Sequence, residues 1–182
     1  MDFINRPADL ALTVCRADYA NPVHAAALVS LLDAYAQDPM GGGEPLSAYT
    51  KTHLVSALAT RPQAFSVLAF REIEISHHGR NIISLTPVGL VNCIEGFSTF
   101  ACQPLVNIHD VAVLLQYRGQ RVAEKMLMRV EEIARERGAC KLTLEVLEGN
   151  VGAVKLYHRV GFDNYQLEPT MGSAQFLQKW LR

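Results

Sequence analysis

The sequence is poor in the features that mark several kinds of specialised protein. Its four cysteines, Cys15, Cys93, Cys102 and Cys140, include no CxxC pair, and each lies in or beside an apolar segment. That pattern reads as reduced core thiols rather than disulfide partners. The histidines show neither HxxxH nor mixed Cys/His spacing, so no metal is expected. Basic residues are not in excess: 17 Lys and Arg face 18 Asp and Glu, a net charge of -1. Nucleic-acid binders usually show the opposite balance, so no nucleic-acid partner is expected. No apolar run approaches the ~18–20 residues of a membrane span. Ala25–Leu32 is broken by Ser30 and stops at Asp33. The first residues, Met1 to Arg6, lack the basic-then-apolar order of a secretory signal, so a cytoplasmic location is expected.

What is present is a chain built to fold. Apolar residues make up 49% and charged residues 19%, below the roughly 25% of an average soluble domain, which implies a substantial core. A length of 182 residues suits a single domain over 1–182. Ala11–Cys15 reads as a strand. Asn21-Pro22 is a helix start, with Asn as cap and Pro in the first turn, and Val23, Ala27, Leu28, Leu31, Leu32 and Tyr35 recur at helical spacing. That helix stops near Asp38-Pro39, and a loop with Gly41-Gly42-Gly43 leads to a second helix from about Ser47 to Thr60. Ala64–Phe70, Pro87–Phe97 and Leu105–Leu115 read as strands, with an extended excursion over Ile73–Ile83 that turns at His77–Arg80. Gly119–Arg137 is an amphipathic helix, Lys141–Leu147 a strand, Asn150–Val160 a helix and Ala174–Trp180 a last strand. Consecutive strands in the middle argue for antiparallel pairing, and the later strand–helix–strand unit for a parallel one.

Two segments carry chemistry. Gln116-Tyr117-Arg118-Gly119-Gln120-Arg121-Val122-Ala123 joins the apolar strand Val111–Leu115 to the long helix. Such a turn leaves backbone N–H groups unpaired at the positive end of a helix, which suits phosphate, and Arg118 and Arg121 add charge. An ordinary strand–helix connection with solvated arginines fits this segment equally well. Downstream, Asn150 and Tyr157 share one face of a helix closed by Gly161-Phe162. Alone, these are a helix cap and a packed aromatic.

Taken together the two segments are more specific, and the sequence resembles the GNAT superfamily of acyl-CoA-dependent N-acyltransferases. That family places an Arg/Gln-x-x-Gly-x-Gly/Ala motif after its fourth strand and an Asn-to-Tyr helix ending in Gly-Phe after its fifth. The matching residues are Tyr117, Arg118, Gly119 and Ala123, then Asn150, Ala153, Leu156, Tyr157, Gly161 and Phe162. Arg121 departs from the pattern, standing where the family has its central glycine. The resemblance implies an α/β fold: a mixed, mostly antiparallel central sheet with a V-shaped splay between strands 4 and 5, flanked by about four helices.

It also implies acetyl-CoA as cofactor and transfer of its acetyl group to a primary amine. The backbone of Val111, Ala112 and Val113 would pair with the pantetheine arm, with an N–H near Val113 polarising the thioester carbonyl. Arg118, Gly119, Gln120, Arg121, Val122, Ala123 and Glu124 would hold the pyrophosphate, with Asn150 positioning cofactor or helix. Tyr157 would protonate the leaving thiolate. In spermidine/spermine N-acetyltransferase-like members an acidic pair stands at the positions of His109 and Asp110, its first carboxylate implicated in deprotonation. The candidate bases, in order, are therefore His109, Asp110 and Glu95. Strict alternation would put His109 and Asp110 on opposite faces, and only a β-bulge would bring both to the acceptor. Tyr35, Asp38, Glu44, Glu95 and Glu168 are candidates for binding a cationic amine, although a solvated acidic rim accounts for each as well. The expected partner is a small-molecule amine such as a polyamine, diamine or amino-acid-like compound. The alternatives are a protein or peptide amine and, in another class, an acyl-CoA sensor without turnover. Phe176, Leu177 and Trp180 are compatible with a homodimer through the C-terminal strand or with core packing.

Overall fold

Five strands lie in one sheet in chain order: β1 (Leu12–Arg16), β2 (Ala64–His77), β3 (Arg80–Ser98), β4 (Gln103–Val113) and β5 (Leu142–Leu144). The structure, a computed structural model, describes residues 11–77, 80–166, 168, 170, 172 and 174–181. β1 to β4 pair antiparallel and β5 joins β4 in parallel, as the order of elements requires. Four α-helices accompany them: α1 (Pro22–Ala36), α2 (Ala48–Ala59), α3 (Val122–Glu136) and α4 (Val151–Arg159). The described residues fall into two compact units, one up to Leu144 and one from Glu145.

In the first unit, α1 and α2 cover one face of the sheet. Asn21 caps α1 by accepting from the N–H groups of Val23 (2.9 Å) and His24 (3.4 Å), and Ser47 caps α2 by accepting from Thr50 N–H (3.0 Å). Each cap is worth about 1 kcal/mol. Ala27, Leu28 and Leu31 of α1 pack on Leu68, Phe70, Leu90 and Ala112, whereas Val23, expected on this apolar face, is exposed. Asp33 holds α2 in place: its carboxylate pairs with Lys51 (2.8 Å) and accepts from Leu46 N–H (2.8 Å). α3 covers the other face with Val122, Met126, Leu127, Val130, Ile133 and Ala134 buried. It approaches β3 closely because Gly89 has no side chain; a Cβ there would stand 2.7 Å from the Met126 methyl.

Several boundaries differ from the sequence reading. β2 and β3 absorb the extended excursion as one long hairpin, pairing out to His77 and Arg80; residues 78 and 79 are outside the described set. α3 starts at Val122 rather than Gly119, because Gly119 (φ 75°) and Arg121 (φ 59°) both adopt left-handed backbone that no α-helix accommodates. Ala174–Trp180 is not a strand: 174–181 carry no regular structure, and Phe176, Leu177, Trp180 and Leu181 are exposed. The adjacent Phe176-Leu177 breaks the alternation that would seat a strand on an apolar face. Of the four cysteines only Cys93 is buried; Cys102 and Cys140 are exposed and Cys15 is intermediate, so the core reading fails for two of them.

The triple-glycine loop is folded back on α1. Gly41 and Gly43 donate to the Asp38 carbonyl (2.8 and 3.2 Å), and Glu44 N–H donates to that of Ala36 (3.1 Å). A Cβ on Gly41 would lie 2.0 Å from the Tyr35 carbonyl oxygen, whereas at Gly43 it would meet no atom and only the left-handed backbone (φ 81°) would resist it. Gly41→Ala is therefore expected to cost about 1–3 kcal/mol, and to lower Tm by about 2–4 °C per kcal/mol in a chain of this size. Gly43→Ala should cost less. Thermal melts in which Gly41→Ala matches the parent would show that the loop takes another path.

Candidate active site

One extra residue in β4 organises the site. β3 and β4 run in step from Gly89↔Val113 to Asn92↔Asp110, then resume at Cys93↔Ile108, so His109 has no opposite number. It forms a β-bulge. Hydrogen bonds on either side show the consequence. Val106 N–H donates to Lys141 on the β5 side (3.0 Å), yet Leu114 N–H donates to Val88 on the β3 side (3.0 Å). Residues an even number apart in an unbroken strand would donate in the same direction. The bulge reverses the sense, so Val111 and Val113 direct their N–H groups away from β3. Among the described residues that edge is open, because β5 pairs with β4 only from Val106 to Ile108 and no described strand pairs with the remainder of β4 on this side. This parting of β4 and β5 is the splay expected from the resemblance.

The bulge also aligns side chains. Ser66, Asn92 and Asp110 are direct cross-strand partners and form one row beneath α1. Asn92 Nδ2 donates to Asp110 Oδ2 (2.9 Å), and Ser66 Oγ donates to Asn92 Oδ1 (2.6 Å). Tyr19 Oη lies 2.9 Å from Ser66 Oγ. Ser66 is fully buried and Asn92 nearly so, at 8% exposure. His109 is exposed and Asp110 half-buried. Tyr35 joins this end of β4: burial pushes its hydroxyl above the ordinary value, and the Asp110 and Asp38 carboxylates add to the shift.

Asp38 is paired rather than open. Arg118 Nη2 donates to its Oδ2 (2.8 Å) while Arg118 Nε donates to the Val113 carbonyl (3.0 Å). Arg118, followed by Met40 N–H, holds the Asp38 carboxyl below the usual carboxylate range. The link is complete above that range and is lost as pH falls through it. Glu95 is engaged by Arg137 (2.8 Å), itself over the Phe65 ring at 4.7 Å on the α3 face. Glu44 is exposed.

After β4 a 3-10 turn, Leu115–Tyr117, delivers the chain to Gly119 and Gln120, both exposed. Arg121, the N-cap of α3, is left-handed (φ 59°, ψ 19°) and its side chain caps nothing. The first helical bond is Lys125 N–H to the Arg121 carbonyl (3.1 Å), so Val122 and Ala123 N–H groups have no acceptor within the helix. The glycine of the family pattern thus corresponds to a backbone conformation that glycine adopts freely and arginine resists. Glu124 supplies an acid in the first turn.

In the second unit, Asn150 caps α4 by accepting from Ala153 N–H (3.2 Å). Tyr157, buried at 8% exposure, meets the Phe162 ring edge-on with centroids 5.9 Å apart. Gly161 (φ 95°) lets Phe162 N–H return to the Tyr157 carbonyl (2.9 Å). Glu168 is exposed. Tyr19, Ser66 and Asn92 escaped the sequence reading. Their signal was available: Ser66 and Asn92 are lone polar residues in the middle of apolar strands.

Comparison with known proteins agrees with this geometry. Over 56 residues the chain is 39% identical to the thialysine N-epsilon-acetyltransferase of Mus musculus, a match covering 31% of this chain and 33% of that protein. It is 33% identical over 78 residues to the streptothricin acetyltransferase of Streptomyces lavendulae, covering 41% of each. The chain thus spans about a third of the length of the first of these relatives. The fold resembles the crystal structure of a probable acetyltransferase, with TM-score 0.69 and 18% identity over 93% of this chain and 99% of that one. It also resembles an aminoglycoside acetyltransferase from an uncultured soil metagenomic sample in complex with sisomicin, with TM-score 0.66 and 15% identity over 94% and 95%. The family model for the acetyltransferase (GNAT) family matches residues 29–162, so the chain belongs to the GNAT acetyltransferase family.

Proposed function

We propose that this protein transfers the acetyl group of acetyl-CoA to a primary amine of a small molecule. The observation that carries the reading is the open edge of β4, with the N–H groups of Val111 and Val113 turned toward it, running directly into the uncapped start of α3. An extended amide-bearing chain and a pyrophosphate need those two kinds of donor in that order. When bound, acetyl-CoA supplies the acyl group as a thioester. Val111 and Val113 offer backbone hydrogen bonds, and Val113 N–H is the proposed donor to the carbonyl oxygen. The first-turn N–H groups of α3 would hold the phosphates. Arg118 joins them by exchanging Asp38 for phosphate. Its exposed ion pair is worth at most ~1 kcal/mol, so the exchange is not costly.

An amine arrives as a cation and reacts only when neutral. Tyr35, Asp38 and Asp110 form its proposed receptor. Asp110 or His109 takes one ammonium proton, nitrogen bonds to the acyl carbon, and the carbon–sulfur bond breaks. Tyr157 gives its hydroxyl proton to the departing sulfur. The products are an amide and a free thiol, and the remaining amine proton is released. The names of the thialysine, streptothricin and aminoglycoside acetyltransferases support a small-amine acceptor. The second reading, a peptide amine, is favoured by 34% identity over 56 residues to N-alpha-acetyltransferase 30 of Schizosaccharomyces pombe.

Calorimetry with acetyl-CoA, followed by thiol release over panels of small amines and N-terminal peptides, tests the reading. Binding with release for a small amine is expected, release only with peptides selects the second reading, and binding without release identifies a sensor. Tyr157→Phe should lower kcat about ten- to a thousand-fold with acetyl-CoA affinity retained; an unaltered kcat removes Tyr157 from the reaction. Arg121→Gly relieves a left-handed residue, so it should hold or raise stability by up to about 1 kcal/mol. Weaker acetyl-CoA binding by that variant assigns Arg121 a phosphate contact, and tighter binding shows that the arginine obstructs.

A further inference from the structure

The row Tyr19–Ser66–Asn92 reaches Asp110 from the side of the sheet remote from the β4–β5 opening, and it has a direction. A serine hydroxyl has one proton, and Ser66 gives it to Asn92 Oδ1 (2.6 Å), so Tyr19 must be the donor in its 2.9 Å contact with Ser66. Asn92 then has only its Nδ2 to present to Asp110, at 2.9 Å. The opposite amide orientation would set an acceptor against a carboxylate. Every proton in the row therefore points toward Asp110, and Asp110 Oδ1 accepts from no described residue.

We infer that Tyr19, Ser66 and Asn92 are positioning residues that fix Asp110 as an aimed proton acceptor, leaving Oδ1 to receive the proton of the substrate ammonium. The inference rests on the acetyltransferase reading. Sheet packing alone does not require it, because apolar residues would fill the row next to the Leu68–Leu90 pair without an unmet polar group. A buried polar row costs stability unless every member is satisfied, and this one is satisfied only by ending on an acceptor. The other ionisable groups around Asp110 are Tyr35 and Cys93, both of which feel its charge, and His109 beside it in β4; Asp38 also acts on Tyr35 and is engaged by Arg118. The outer end of the row, Tyr19, lines an open cleft with Arg16, Asp18 and Arg61.

The test tracks the Asp110 carboxyl carbon by NMR titration together with the pH dependence of kcat/KM, in the parent and in Asn92→Leu, Ser66→Ala and Tyr19→Phe. A carboxylate deprived of a donated hydrogen bond holds its proton more tightly. Asn92→Leu should therefore move both the carboxyl titration and the acidic limb of kcat/KM upward by about one pH unit, roughly tenfold in rate on that limb. Ser66→Ala, which frees the Asn92 amide to turn, should move both by less, and Tyr19→Phe least, with KM for acetyl-CoA unchanged throughout. Tyr19→Phe removes only a hydroxyl from a half-buried ring, so it keeps the test open if Asn92→Leu does not fold. Turnover intact with no movement of either titration in the folded variants overturns the positioning role alone. Absence of thiol release by the parent with every amine overturns the acetyltransferase reading and with it the duty assigned to Asp110, wherever the carboxyl titrates.

Discussion

The single residue inserted at His109 is the constraint on which the rest of the site depends. Without it β4 would keep one hydrogen-bonding sense from Val106 to Leu114. The N–H groups of Val111 and Val113 would then be spent on β3, and the open edge would present carbonyls where donors are needed. With it, the same strand pairs with β5 over Val106–Ile108 and offers its donors to solvent beyond. The insertion also keeps Asp110 in the row of Ser66 and Asn92, so one irregularity sets both the backbone donors and the side-chain acceptor.

Beyond β4 the backbone departs from regular structure a second time, with a related effect. Gly119 and Arg121, both left-handed, delay the start of α3 until Val122, so the helix begins with no side-chain cap. A capped start would satisfy the very N–H groups that an anion would use. Stability is supplied instead by the buried stripe of α3 from Val122 to Ala134 and by the missing side chain at Gly89. The two functions thus share one helix: its first N–H groups lack intrahelical acceptors, while the stripe that begins at Val122 packs on the sheet.

The large features of this architecture were legible in the sequence because they rest on local chemistry. Asn21-Pro22 and Ser47 start helices by capping, and the period of Val122, Met126, Val130 and Ile133 fixes the buried face of α3. The consecutive strands β2 to β4 pointed to antiparallel pairing and the strand–helix–strand unit around α3 to a parallel one. The bulge was foreseen only as a condition for His109 and Asp110 to act together, since a one-residue slip leaves no mark in an apolar strand and depends on a partner far along the chain. The row ending at Asp110 was missed for the same reason: Tyr19, Ser66, Asn92 and Asp110 are scattered in sequence and meet only through the register of three strands. Ala174–Trp180 shows the converse, an apolar segment that reads as a strand but lacks alternation and, among the described residues, forms no strand.

The two acids whose charges act on Tyr35 differ in their partners. Asp38 faces a cation at 2.8 Å, and its carboxyl is held below the usual range as a result. A carboxylate so paired is a poor proton acceptor, because accepting the proton forfeits the ion pair. It serves better as a fixed charge, able to attract an ammonium once its arginine is drawn elsewhere. Among the described residues Asp110 receives a neutral amide, which orients a carboxylate without neutralising it. A group that must take up a proton and surrender it in every turnover needs orientation without permanent compensation. Under the proposed reaction Asp110 suits that requirement better than Asp38, and the proposal therefore gives the binding of the cation and the acceptance of its proton to different residues.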